Sequence, residues 1–106
     1  MPDDVELSVV AGSFRARPGE EAALAALLAK YVVLTRMRPH CRNIDLVMSV
    51  TQSGRFLVVE KWDDADAQRA HLDAEETVEM ARAAVALLAA KPDLDLYEVV
   101  SAHDLH

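Results

Sequence analysis

The stretch VVEKWDDADAQRAHL, residues 58–72, brings together three side chains able to do chemistry: the Glu60 carboxylate, the Trp62 indole N–H and the His71 imidazole. Glu60 and Trp62 alternate with Val59 and Lys61 in a run that reads as a strand, so they share a face with Phe56 and Val58. Asp63 and Asp64 then stop the strand and open a helix over 63–73. Asp63 is the expected N-cap, with Asp66 in the capping-box position. Ala67, Ala70 and His71 share one side of that helix. An imidazole whose pKa lies near ~6.5 suits proton abstraction at neutral pH, and small neighbours leave room beside it for a ligand. His71 is also readable as a buried histidine satisfied by Glu60 or a backbone carbonyl.

The neighbouring residues are weighed the same way. Trp62 reads first as core packing, with an indole nitrogen still able to donate to a substrate oxygen. An ionised Glu60 on an apolar strand face needs a partner, and Arg36, Arg38 or a group from a second subunit is expected to supply it. Asn43, His40 and Tyr97 are further candidates for a pocket rim. Cys41 has no basic helix terminus nearby to lower its pKa, so a nucleophilic role is not expected. The four histidines are scattered, without the His-x-x-x-His spacing of a helical metal site, and no metal is expected. His103 and His106 fall in a polar tail, 102–106. GSFRARPG lacks the lysine and threonine of a phosphate loop, and nothing suggests a flavin or nicotinamide site.

The elements that must position these groups follow from periodicity. Residues 5–15 alternate as a strand. Pro18 and Gly19 turn the chain, and Glu20 and Glu21 suit a helix N-terminus. Leu24, Leu27, Leu28, Tyr31 and Leu34 then mark an amphipathic helix ending near Met37. Residues 44–51 and 55–62 read as strands joined by a hairpin in which Gly54 takes a positive φ. Val78, Ala81, Val85 and Leu88 give a further helix its inner stripe, and 94–101 reads as the last strand. Strands and helices mix without strict alternation, which favours α+β.

The totals exclude several classes. A chain of 106 residues suits one domain, with a core over about 5–101. Its net charge of −7 disfavours nucleic acid and anionic membranes. The apolar run 83–90 is far short of the roughly 20 residues that span a bilayer. No signal peptide is visible, and one cysteine cannot form an internal disulfide, which together point to a cytoplasmic setting. Val9 beside Val10, and Leu57 and Val59 beside Phe56 and Val58, make both sheet faces apolar. Helices from one chain cover one face, so a homodimer packed sheet on sheet is expected, burying about 800 Å² per partner.

FRARPGEEAALAALL, TRMRPHCRNIDL and FLVVEKWDDADAQRAHL, taken in order, resemble the antibiotic biosynthesis monooxygenase family of the dimeric α+β barrel superfamily. The resemblance runs from about Val9 to Val100. It rests on the Pro18-Gly19 helix entry, the Pro39/Cys41/Asp45/Leu46 segment and Glu60-x-Trp62 followed by His71-Leu72. It implies a ferredoxin-like four-stranded antiparallel sheet with helices on one face, two copies closing a barrel. It also implies cofactor-independent oxygenation of a quinol, phenolic or polyketide-type aromatic, with dioxygen as co-substrate. His71 would be the base, Trp62 and Asn43 donors or walls, and Glu60, His40 and Tyr97 the pocket lining. His40 replaces a glycine common in the family, and Ile44 a common aromatic, so substrate class does not carry over. The Asn, Trp and His of haem-degrading relatives are absent from the first strand, position 71 and the region of Ala81, which disfavours that activity. The alternatives are a non-catalytic small-molecule-binding or dimerisation module, and a small-metabolite isomerase using His71 as a proton shuttle.

Overall fold

The computed structural model describes residues 7–100. In chain order the elements are β1 (Ser8–Arg15), α1 (Glu21–Arg36), β2 (Cys41–Met48), β3 (Arg55–Trp62), α2 (Ala65–His71), α3 (Glu75–Ala84) and β4 (Asp93–Glu98). The strands form one sheet in the order β2-β3-β1-β4, every pair antiparallel, which is the ferredoxin-like arrangement.

Register decides what faces the helices. Val10 lies opposite Glu60, Gly12 opposite Val58 and Phe14 opposite Phe56, and Ile44 and Leu46 face Glu60 and Val58 from β2. These residues make the helix side. Phe14, Ile44, Phe56 and Val58 pack there with Leu24, Leu28, Tyr31 and Val32 of α1 and Met80 and Ala84 of α3. Burying a side chain of this size contributes about 1.5–3 kcal/mol before entropy is counted. Val9, Ala11, Leu57 and Val59 fall on the opposite side of β1 and β3.

Several boundaries move relative to the periodicity. β2 starts at Cys41 rather than at 44, because a bulge inserts Arg42 between Cys41, opposite Trp62, and Asn43, opposite Lys61. The cap of α2 is Asp64, whose Oδ1 accepts from the Ala67 N–H at 2.8 Å. Asp63 is instead held by Arg42 and His40. The buried stripe of α1 ends in Thr35, while Leu34 is exposed. In α3 the buried positions are Glu76, Met80 and Ala84, and Val78 and Val85 are exposed. A hydropathy stripe misses this phase because its first inward place is taken by a charged residue.

Two glycines matter. Gly54, at φ 77, closes the β2–β3 turn in a conformation that side chains disfavour. Gly12 lets the sheet run bare beneath the helices: a Cβ there would stand 2.7 Å from Leu94 Cδ2 and 3.1 Å from Phe14 Cε1. β4 is an edge strand with every residue exposed, including Leu94 and Leu96 on the helix side.

Candidate active site beneath the second and third helices

Glu60 enters the helix side of the sheet from β3 and is only 8% exposed. No guanidinium meets it in the bonds described. Its carboxylate accepts from Tyr31 Oη at 2.6 Å and from Trp62 Nε1 at 2.9 Å. Arg38, expected beside it, makes two 2.6 Å bonds to Glu76, and Arg36 donates to the Ile44 carbonyl. Neutral donors can settle a buried carboxylate because two short bonds replace its lost water.

His71 ends α2 and is 5% exposed. Its Nε2 lies 3.1 Å from Glu76 Oε2 and 3.3 Å from Thr35 Oγ1. Its Nδ1 is 3.4 Å from Tyr31 Oη, 3.3 Å from Thr77 Oγ1 and 3.9 Å from Glu60 Oε1. Trp62 stacks against the ring with centroids 4.6 Å apart and planes tilted by 38°.

The protons on this network can be placed from their partners. Arg38's hydrogen bonds push the Glu76 pKa down to about 2, so Glu76 is an ionised acceptor and the bond to it needs a proton on Nε2. Burial, then the Glu60 charge, pushes the Tyr31 phenol far above its ordinary range, keeping its proton for Glu60. Thr77 Oγ1 donates to the His71 carbonyl at 2.7 Å. With Nε2 as the N–H, Nδ1 is the ring nitrogen left with a lone pair, beside oxygens whose own protons are committed.

Beside this cluster a cavity of about 210 Å³ lies between the sheet and α2 and α3. Tyr31, Glu60, Gln68, His71 and Thr77 supply its polar lining. Val10, Gly12, Phe14, Val58 and Met80 are among its apolar walls, and Leu94 of the edge strand borders it. An apolar cavity of about 150 Å³ is enough for a benzene ring. The space therefore suits a compact aromatic molecule whose polar atom meets the Nδ1 end. His71 also borders a shallower depression of about 190 Å³ lined by Arg38, Pro39, His40, Trp62 and Ala74.

The expected site residues divide accordingly. Glu60, Trp62 and His71 come together. Asn43 does not join them: it is exposed, opposite Lys61 on the far face of the sheet, and donates to Asp45 at 3.0 Å. Tyr97 is likewise on the far face, opposite Val9, and exposed. His40 stands in the α1–β2 connection with Nδ1 3.2 Å from Asp63, bordering the shallow depression rather than the cavity. Burial, then the Glu60 charge, pushes the Cys41 thiol up, away from thiolate chemistry. His103 and His106 lie outside the described residues.

From periodicity Tyr31 belongs only to the apolar stripe of the first helix, and Thr35, Glu76 and Thr77 do not stand out. The signal for two of them is present in it, since Tyr31 and Thr35 are one turn apart on the buried stripe of α1 and neither is a pure hydrocarbon. Glu76 lies five residues beyond His71, across a turn between two helices, and no single periodicity relates them. Among the described residues no group of three or more His, Cys, Asp or Glu side chains is arranged to hold a metal ion, and no helix is long and apolar enough to cross a membrane.

Comparison with known proteins agrees with this architecture. The solved structure of PA3566 from Pseudomonas aeruginosa is 25% identical, with a TM-score of 0.83 over 91% of this chain and 96% of that one. NE2512 from Nitrosomonas europaea, a protein of unknown function, is 22% identical with a TM-score of 0.86 over 96% and 97% of the two chains. An antibiotic biosynthesis monooxygenase crystal structure is 24% identical, with a TM-score of 0.80 over 90% and 99%. No curated protein matches the chain. Residues 8–90 match the model of one family, and that span includes β1 through α3 and every polar residue of the cavity. The chain belongs to the antibiotic biosynthesis monooxygenase family.

Proposed function

We propose that the protein is a cofactor-independent monooxygenase of a quinol or related phenolic ring, with His71 Nδ1 as the base. The observation that carries this reading is the asymmetric seating of the imidazole. Nε2 is tied to an ionised Glu76, while Nδ1 meets the polar end of an otherwise apolar cavity. A carboxylate that fixes one ring nitrogen as N–H leaves the other as the proton acceptor, the logic by which an acid orients a catalytic histidine.

In the proposed reaction Nδ1 takes the phenolic proton, and the electron-rich phenolate passes one electron to dioxygen. The phenoxyl radical and superoxide then join through a new C–O bond. Breaking the O–O bond leaves one oxygen atom on the ring, and the other departs as water with two hydrogens taken from the substrate. Four electrons leave the substrate and four enter dioxygen. The protein's part is a dry, shaped space and a proton acceptor. Trp62, Glu60 and Tyr31 act as a unit that holds the ring of His71 rather than as groups that react.

We also propose that two copies pair through the far face of the sheet. Val9, Ala11, Leu57 and Val59 form an apolar strip there across the two central strands. Covering it with the same strip of a second copy closes a barrel under two-fold symmetry.

Oxygen uptake with a panel of reduced quinols tests the activity. His71→Ala is expected to abolish quinol-dependent uptake while leaving the oligomeric state unchanged. Unchanged uptake in that variant overturns the assignment of the base. Ligand-induced thermal stabilisation of the wild-type protein without turnover would favour a binding module instead.

A further inference from the structure

We infer that Glu60 makes the cavity selective by charge, admitting uncharged or cationic hydroxylated rings and rejecting those with a carboxylate or phosphate next to the hydroxyl. The inference rests on the reading of the cavity as the substrate site and adds the class of substrate that it takes.

The cavity lining contains one acidic side chain, Glu60, and, among the described residues, no lysine or arginine. The guanidinium of the hydrogen-bond network, Arg38, is committed to Glu76 through two 2.6 Å bonds, and Arg17 donates to the Leu88 carbonyl. His71 brings no positive charge in the tautomer set by Glu76, in which Nε2 carries the one ring proton and Nδ1 keeps its lone pair. The donors around Glu60 are both neutral, so its negative charge is stabilised but not cancelled. An anionic group brought to this end would lose its water in a low-dielectric space and face a carboxylate with no cation to offset either charge. A hydroxyl group instead finds acceptors in the Nδ1 lone pair and the remaining lone pairs of Glu60. Apart from Gln68 and Thr77 the rest of the lining is apolar, with Gly12 as floor, and it offers an ionic substituent no counter-charge.

Three single-ring probes of similar size separate charge from shape: 2-hydroxybenzamide, 2-hydroxybenzoate and 2-hydroxybenzylammonium. Their binding to the full-length protein is measured anaerobically by calorimetry, so that no turnover enters. The amide is expected to bind and the carboxylate to bind roughly a hundredfold more weakly or not at all, as like charges in a buried interface dictate. The ammonium is expected to bind at least as tightly as the amide. Glu60→Gln is expected to bring amide and carboxylate to within about fivefold of each other. If that variant fails to fold, the ammonium decides: desolvation alone penalises both ions, so an ammonium as weak as the carboxylate also overturns the inference. Carboxylate binding as tight as that of the amide, or failure of the amide to bind, overturns the inference. Oxygen uptake is scored separately: the ranking with no uptake from any uncharged quinol would keep charge selection and remove the monooxygenase reading.

Discussion

Glu76 Oε2 and His71 Nε2 stand 3.1 Å apart across the turn that joins α2 to α3, and the same carboxylate is gripped from its other side by Arg38. Three segments of the chain thus meet on one carboxylate. α1 runs into Arg38, α2 ends in His71, and Glu76 is the second residue of α3. This pairing sets which ring nitrogen faces the cavity.

Replacing Glu76 by Gln keeps the shape and removes the charge. Nitrogen-15 chemical shifts of the His71 ring are expected to change from an Nε2–H pattern to a mixture of tautomers. Quinol turnover is expected to fall by up to about ten-thousandfold, by analogy with losing the orienting acid of a catalytic histidine. An unchanged tautomer in Glu76→Gln would show that the other neighbours, Tyr31, Thr35, Glu60 and Thr77, fix it without this charge.

Acid is expected to weaken the fold through the same carboxylate. The Glu76 pKa lies at about 2 in the folded protein against an ordinary 4.5. The unfolded chain therefore binds the proton first. The contribution of Glu76 is fully present above about pH 4.5 and is lost as pH falls towards 2. Allowing for solvent screening at the half-exposed Arg38, it amounts to about 1–2 kcal/mol. Urea unfolding of wild type and Glu76→Gln between pH 6 and pH 3 checks this, and the difference between the two should shrink with acidity.

Gly12→Val is expected to fill the cavity floor. The new side chain would meet Leu94 on the exposed edge strand, which can give way, and Phe14 in the core, which cannot move as freely. Binding of a ring-sized probe should be lost or weakened at least about tenfold, with a stability cost of about 1–3 kcal/mol. Tight binding with an unchanged fold would mean that ligands do not use this floor.

Val59→Glu places a charge in the middle of the apolar strip on the far sheet face. Sedimentation at micromolar concentration is expected to show the wild type as a dimer and the variant as a folded monomer. A monomeric wild type would remove the sheet-on-sheet pairing.

Strand and helix identities were legible because i, i+2 parity fixes which strand residues share a face and the 24/28/31 spacing marks α1, although β1 and β3 are apolar on both sides and do not tell which face the helices cover. The corner of Glu60, Trp62 and His71 was legible for the same reason. What escaped depends on contacts between distant segments. Arg38 could be matched with any acidic residue, and only the packing of α1 against α3 selects Glu76 over Glu60. That choice also rotates α3 by placing a carboxylate where an apolar residue was expected. Asn43 and Tyr97 were misplaced because each is next in sequence to a helix-side residue, Ile44 and Leu96, and in a strand the next residue faces the other way.

Trp62 is the only tryptophan of the chain, and its indole both donates to Glu60 and stacks on His71. The protein thus carries an intrinsic optical reporter in contact with the proposed base. Protonation of the neighbouring imidazole, or arrival of a ring in the cavity beside it, alters the emission of one identifiable fluorophore with no other indole to obscure the signal. Events at this centre can be followed in real time without labelling.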